Sequence, residues 1–312
     1  MSSSTTNSDH LFAKYSRTLV VGTMGACMAI GLLNYFVDPY NIYGNNRLGV
    51  YISSEREAKQ NLIKSYPHTA VLLGNSKSAL ISVADVEGTV VFNGGIAGAS
   101  MSEIYFFAQR YVVDQNRVFL GVSLGQQGGL NVADQDVFRP LTMSRRLGYA
   151  LSLKSTEYTI KTISKYAQGE ASSLGKDGTQ NPEKWFKAHS KTDVDLLQYR
   201  VEEFVDGWIS QLSTAPSEFI AFQKMKELMQ ARGIHLDVFI YPIHPDIRAS
   251  FTPHQWEQLE EWLAEMRKIY PEITDFSRGE YSGYDHFTAT DPVHFMPKTG
   301  AKMIEELIQS GQ

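Results

Sequence analysis

Five short apolar runs limit what this 312-residue chain can fold into: Ala70–Leu73, Val90–Phe92, Val118–Val122, Leu236–Tyr241 and a weaker Ile273–Phe276. They are continuous rather than alternating and rich in β-branched residues, as in strands covered on both faces. Helix-like stretches separate them. These are Ser100–Val113, Glu218–Ala231, Pro253–Ile269 and Pro297–Ile308, with Arg232-Gly233 as a stop and Pro253 and Pro297 as starts. Strand alternating with helix predicts an α/β fold in which a parallel sheet is sandwiched by helices. The gap from Ser123 to Ile234 is too long for one crossover. A helical cap inserted at about 135–215 is therefore expected over the carboxyl edge of the sheet, with the polar stretch Gly169–Asn181 as an exposed loop.

A second feature sets topology. No charged residue occurs between Arg17 and Asp38, and the apolar stretch Thr18–Val37 is about as long as a bilayer's hydrocarbon layer is thick when helical. A cleaved signal would be shorter and end at a small-residue site. Met24-Gly25-Ala26-Cys27 has the look of a lipoprotein cleavage site, but the apolar run continues to Val37, which suits a retained anchor. Lys14 and Arg17 on its amino side place the short tail in the cytoplasm by the positive-inside rule. The expected organisation is a cytoplasmic tail at 1–17, a transmembrane helix at 18–37, a stem at 38–66 and an α/β domain at 67–312. The whole is a single-pass inner (cytoplasmic) membrane protein whose domain faces the periplasm. Within the stem, the turn-rich, aromatic Asp38–Gly44 precedes a short polar helix at Glu55–Ser65. Cys27 is the only cysteine, so no intramolecular disulfide forms, and thiol catalysis and a cysteine-based metal site are excluded. A formal charge of −5 with no basic run sets nucleic acid aside.

Three motifs carry candidate chemistry. In Asp291-Pro292-Val293-His294, a carboxylate three residues before a histidine can hold one imidazole nitrogen and leave the other free as a base. The run Ala70–Leu73 ends in Gly74-Asn75-Ser76-Lys77-Ser78, which presents Ser76 at the carboxyl end of a buried strand, where open α/β sheets bind ligands. Asn93-Gly94-Gly95-Ile96-Ala97-Gly98 follows the second run, and its glycines let backbone N–H groups approach a substrate closely, as an oxyanion requires. Each motif alone is also ordinary turn chemistry. With Asp291 and His294 taken to follow the last strand, all three sets converge on one edge.

Other residues have two readings each. Tyr241 and His244, in Tyr241-Pro242-Ile243-His244-Pro245 after the fourth run, line the site or form a rigid loop. Asp285-His286 lies near the main motif, but adjacent residues rarely align for a shared task, so Asp291 and His294 are preferred. Asp275 is a capping or supporting group. Trp185, Trp208, Tyr158 and Tyr199 stack on sugar rings or fill a cap's small core.

On these blocks the chain resembles the SGNH (GDSL-like) hydrolases from about Ala70 to its carboxyl end. The resemblance implies a flavodoxin-like three-layer α/β/α sandwich with no metal and no organic cofactor. It implies that Ser76 is the nucleophile, that Asp291 and His294 complete a triad, and that the Ser76 and Gly98 N–H groups form the oxyanion hole. One block departs from the pattern. The family commonly has Gly-x-Asn-Asp after the third strand, whereas this chain has Gly121-Val122-Ser123-Leu124-Gly125-Gln126-Gln127. Ser123, Gln126 or Gln127 would have to replace the missing asparagine, a donor whose loss costs a few kcal/mol of transition-state stabilisation.

The stem Val37-Asp38-Pro39-Tyr40 and the block Leu73–Ser78 are similar to a narrower group. It comprises membrane-anchored extracytoplasmic relatives of the alginate O-acetylation proteins and the D-alanyl transfer protein of teichoic acid. That likeness implies acyl-group chemistry on a polysaccharide, beside other polysaccharide biosynthesis proteins. Two functions follow: a Ser-His-Asp acyl esterase or O-acyltransferase, or a catalytically weak or inactive polysaccharide-binding or assembly protein in exopolysaccharide biosynthesis.

Overall fold

The computed structural model describes residues 5–52, 54–124, 131–208 and 218–311. In chain order the elements are α1 (Thr5–Val37), α2 (Glu55–Ser65), β1 (Ala70–Leu73), α3 (Ser76–Ala79), β2 (Val91–Asn93), α4 (Met101–Tyr111), β3 (Arg117–Val122), α5 (Met143–Leu151), α6 (Leu153–Ala167), α7 (Glu183–His189), α8 (Val194–Trp208), α9 (Glu218–Arg232), β4 (His235–Ile240), α10 (Pro245–Ser250), α11 (Pro253–Ile269), β5 (Thr274–Asp275), β6 (Phe287–Thr288), β7 (Asp291–Phe295) and α12 (Pro297–Ser310). They form two units: residues 1–52 with 140–171, and residues 53–139 with 172–312.

The second unit is built on a five-stranded parallel sheet in the order β2-β1-β3-β4-β5. This is a common doubly wound order, and the reversal between β1 and β3 opens a crevice at the strands' carboxyl ends. All four residues of β1 are buried, as its unbroken apolar run predicts. Helix starts follow their caps. Ser100 and Glu103 form a reciprocal capping box before α4, and Thr252 and Gln255 form another before α11, which has Pro253 in its first turn. One core cluster joins Leu72 of β1, Phe119 of β3, Phe239 of β4, Phe287 and Phe295 of the terminal hairpin, and Met303 and Ile304 of α12.

Three expectations change. Asp291 and His294 do not follow a parallel strand; they lie within β7, which pairs antiparallel with β6 in a separate two-stranded sheet. Phe287 and Phe295 face each other across that pair and sink into the core, so burial adds to the hairpin's own short pairing. The insertion expected at about 135–215 is divided, with residues 140–171 in the first unit and residues from Ser172 onward in the second. The stretch Gly169–Asn181 is not simply exposed. Leu174 and Gly178 are buried, the Asn93 amide donates to the Asp177 carbonyl at 2.7 Å, and the Gln180 amide donates to the Ala79 carbonyl at 2.8 Å. Gly178 has φ +83°, and a side chain there would collide with the Asn93 carbonyl, so this glycine permits the contact.

In the first unit α1 is long and apolar enough to cross a membrane, with a mean hydropathy of 1.7 over its best window in His10–Val37. Helices α5 and α6 pack against it. Asn34 of α1 is 2 % exposed. Its Nδ2 donates to the Ala150 carbonyl at 2.7 Å and to Thr156 Oγ1 at 3.0 Å, and its Oδ1 accepts from Thr159 Oγ1 at 2.8 Å. After α1 the chain turns through Asp38 (φ +47°) and Asn41 (φ +53°). The Asp38 carboxylate accepts from the Ile42, Tyr43 and Asn45 amides at 2.7, 2.9 and 3.0 Å. Burial raises the Asp38 pKa against the pull of those bonds. Tyr40 packs edge-on against Tyr149 and Tyr158, which gives Tyr158 a packing role in this unit.

Candidate active site

Ser76 opens α3 directly after β1, and it is partly exposed while its neighbours from Ala70 to Ile81 are all buried. The turn that aims it depends on Gly74. A Cβ there would lie 2.2 Å from Tyr241 Oη and 2.4 Å from Ser78 Oγ, at a φ of +151° that side chains rarely adopt. Asn75 caps α3, its Oδ1 accepting from the Lys77 amide at 3.0 Å while its Nδ2 donates to Ser123 Oγ at 2.7 Å. Beneath the turn, Tyr241 Oη and Ser78 Oγ share a 2.6 Å hydrogen bond, and burial raises the Tyr241 pKa.

From the terminal hairpin, His294 reaches this serine. His294 Nε2 lies 3.0 Å from Ser76 Oγ, and His294 Nδ1 lies 2.9 Å from Asp291 Oδ2. With a carboxylate facing Nδ1, that nitrogen carries the proton and Nε2 accepts from the serine hydroxyl. Asp291 is buried and held from several sides. Its Oδ1 accepts the Val293 and His294 amides at 2.9 and 3.2 Å, and its Oδ2 also accepts the indole N–H of Trp185. Burial raises the Asp291 pKa, but the His294 hydrogen bond and charge, then Trp185 and the Val293 amide, outweigh it. The carboxyl is held well below the usual carboxylate range. Asp291 is therefore an anion aimed at the imidazole, and it would stabilise the imidazolium formed when His294 takes the serine proton.

The loop after β2 supplies backbone donors. Within it the amides of Gly94, Gly95, Ile96, Ala97 and Ala99 donate to Leu72 O, Asn93 Oδ1, Gly74 O, Glu55 Oε2 and Ile96 O. Gly98 sits at an exposed corner with φ +67°, and among the described residues neither its amide nor that of Ser76 has a protein acceptor. Three side chains of α2 clasp this loop: Glu55 accepts the Ala97 amide, Arg56 reaches the Ala97 carbonyl at 3.4 Å, and Lys59 donates to the Gly95 carbonyl. Arg56 is itself paired with Glu103 at 2.7 and 2.8 Å. Lys59 is fully buried, and burial lowers its pKa to about 8. Lys77 is likewise buried, between the rings of Phe204 and Tyr241, and burial lowers its pKa to about 8 although the Asp291 charge pulls the other way.

The structure thus brings Ser76, His294 and Asp291 into one hydrogen-bonded chain and ties the Gly98 loop to the same turn. It does not bring Tyr241 or His244 to the surface. Tyr241 is 1 % exposed and supports the turn from below. His244, 2 % exposed, caps α10 by accepting the Asp246 amide at 3.2 Å and packs on Phe287, and burial lowers its pKa. Ser123, buried, is engaged by Asn75. Gln126 and Gln127 lie outside the described residues, as does the side chain of Trp208. His286 bonds Thr299 at 3.0 Å, apart from the triad, and Asp275 receives the Ser277 amide at 2.9 Å. Sequence reasoning missed the role of Trp185, which it named only as a cap aromatic, and that of α2, which it placed in the stem. Compared with protein-family models and with curated proteins, the chain matches none of them.

Proposed function

We propose that this chain is a membrane-anchored, SGNH-type acyl esterase or O-acyltransferase acting on an envelope or exported polysaccharide from the periplasmic side. The observation that carries the reading is the hydrogen-bonded chain from Ser76 through His294 to a buried, anionic Asp291. The doubly wound order supports it, as do the amides of Ser76 and Gly98, which have no protein acceptor among the described residues. Ser76 Oγ attacks an acyl carbonyl as His294 Nε2 takes its proton, the Ser76 and Gly98 N–H groups hold the oxyanion, and His294 returns the proton to the leaving alkoxide. Water or a sugar hydroxyl then resolves the acyl-enzyme. The glycan substrate rests on the resemblance of the sequence blocks, and the outward orientation rests on the Lys14 and Arg17 flank.

The purified full-length protein should cleave a small activated acetyl ester slowly. Ser76→Ala and His294→Ala should each lower kcat by on the order of a thousandfold, with no further loss in the double variant, because the pair acts as a unit. Unchanged turnover in Ser76→Ala overturns the triad. Normal polysaccharide output in cells carrying Ser76→Ala would favour the binding or assembly role instead.

A further inference from the structure

Helix α6 is amphipathic the wrong way round for water. Its buried residues are Ser155, Thr159 and Thr162, while Leu153 is 84 % exposed and Ile160 and Ile163 face outward with it. Neighbouring α5 has no buried residue, although it carries Met143, Leu147 and Leu151, all exposed. A soluble helix pair buries its apolar stripe. Here the polar side is turned inward, and Asn34 of α1 bonds Ala150, Thr156 and Thr159 together. Interhelical bonding by Ser, Thr and Asn with apolar residues outward is how helices associate in lipid.

Two further observations identify what covers this face. The exposed apolar surface continues without a break onto α1: Cys27, Met28 and Leu32 of the apolar helix line one groove of about 440 Å³ with Met143 and Leu147 of α5, and Leu151 meets α1 at Gly31. Gly31 lies seven residues before Asp38, about 10 Å along the helix, the depth to which interfacial helices sink. Charge agrees. Residues 143–167 contain five basic side chains (Arg145, Arg146, Lys154, Lys161, Lys165) and one acidic (Glu157), a local +4 in a chain whose total is −5. Apolar residues with flanking basic ones are the composition of helices that lie in a membrane interface.

We propose that α5 and α6 form a collar embedded in the bilayer leaflet through which α1 emerges at Asp38, with Leu147, Leu151, Leu153 and Ile160 among the acyl chains. This goes beyond the catalytic reading and rests only on α1 crossing the bilayer. The collar adds a second attachment and ties the chain's exit from the membrane to residues more than a hundred positions downstream.

The test uses full-length protein with Cys27→Ser, reconstituted alone in vesicles of phosphatidylethanolamine and phosphatidylglycerol. Single cysteines replace Leu153, Ile160, Val20 in the span, or Lys176 in the second unit, and each carries an environment-sensitive fluorophore. Labels at Leu153→Cys and Ile160→Cys should be quenched severalfold more by a lipid-borne quencher than by aqueous iodide, as at Val20→Cys, while Lys176→Cys shows the reverse. Aqueous quenching at Leu153→Cys and Ile160→Cys, with lipid quenching kept at Val20→Cys, overturns the collar and leaves the span intact. Aqueous quenching at all three overturns both. Quenching by iodide in these vesicles but protection in native membranes overturns the collar in favour of a membrane-protein partner. As a second measurement, Leu153→Glu with Ile160→Glu should raise the iodide accessibility of a label at Leu147→Cys severalfold while ester turnover is unchanged. No change in that accessibility counts against insertion.

Discussion

Asn34 and Asn93 are both buried, both use their amide at both ends, and do opposite jobs. In the unit built on the sheet, Asn93 Nδ2 donates to the Ser78 and Ile81 carbonyls at 2.8 and 2.9 Å, and its Oδ1 accepts the Gly95 amide at 2.9 Å, so one side chain locks the Ser76 turn to the Gly98 loop. It does so inside a core whose apolar side chains point inward. In the helical unit, Asn34 makes three comparable bonds, but the apolar side chains of α5 and α6 that it holds point outward. With α5 and α6 in the leaflet as proposed, the same chemistry serves two solvents. Where water surrounds the unit, burial of Phe and Leu supplies the stability and the polar group fixes geometry. Where the surroundings are apolar, burial of Leu gains nothing, and the polar group is what holds the helices together.

The contrast can be broken most sharply at the triad. Asp291→Asn should lower kcat by on the order of 10⁴-fold through loss of the correct imidazole tautomer, as the equivalent change does in serine proteases. Trp185→Phe, which removes one donor to the same carboxylate, should cost about tenfold. Neither should alter vesicle association, measured by co-flotation. A loss of association would mean that the two units are not independent in function.

The next effect compares the two asparagines directly. Asn93→Ala leaves the buried Gly95 amide without its acceptor and takes one donor each from the Ser78 carbonyl, which keeps the Ile81 amide, and the Ile81 carbonyl, which keeps Thr179 Oγ1; it should destabilise the sheet unit by about 2 kcal/mol. Asn34→Ala should loosen α5 and α6 by only about 1 kcal/mol, because polar groups in lipid readily find other partners. Hydrogen exchange in nanodiscs resolves the two units separately. Equal losses would show that both are stabilised in the same way.

A further contrast is a pH slope set by two buried lysines of the sheet unit. Lys59 and Lys77 have folded pKa values of about 8, against about 10.4 for a lysine in the unfolded chain. Between those values the unfolded chain binds more protons, so stability should rise as pH goes from about 8 to about 10. That increment is lost as pH falls back through 8. Denaturant midpoints across this range should show the rise, and Lys77→Met should remove about half of it, leaving the Lys59 share. A midpoint that falls over the same range would contradict the burial of both amines.

The candidate site was legible in the sequence where its parts are local. Gly74-Asn75-Ser76 marks a strand end by composition, and Asp291 and His294 are three residues apart, so their pairing needs no knowledge of the rest of the fold. Trp185 was not legible as a partner of Asp291, because 106 positions separate them and no local pattern ties an indole to a carboxylate. The clasp of α2 on the Gly98 loop was hidden in the same way, since Glu55 and Ala97 are joined only through space.

By itself the sequence determined the strand-helix alternation, one long uncharged apolar helix and the chemical character of the Ser76, Gly98 and Asp291/His294 motifs. Periodicity and turn chemistry are properties of neighbouring residues. The bounds of β1 and α11 follow them residue for residue. Only the tertiary structure decided that Asp291 and His294 ride on an antiparallel hairpin, that residues 140–171 join the unit of the apolar helix, and that Tyr241 lies under the Ser76 turn. Those outcomes depend on which distant surfaces bury each other, and an apolar stripe does not reveal whether a core, a partner helix or a lipid leaflet will cover it.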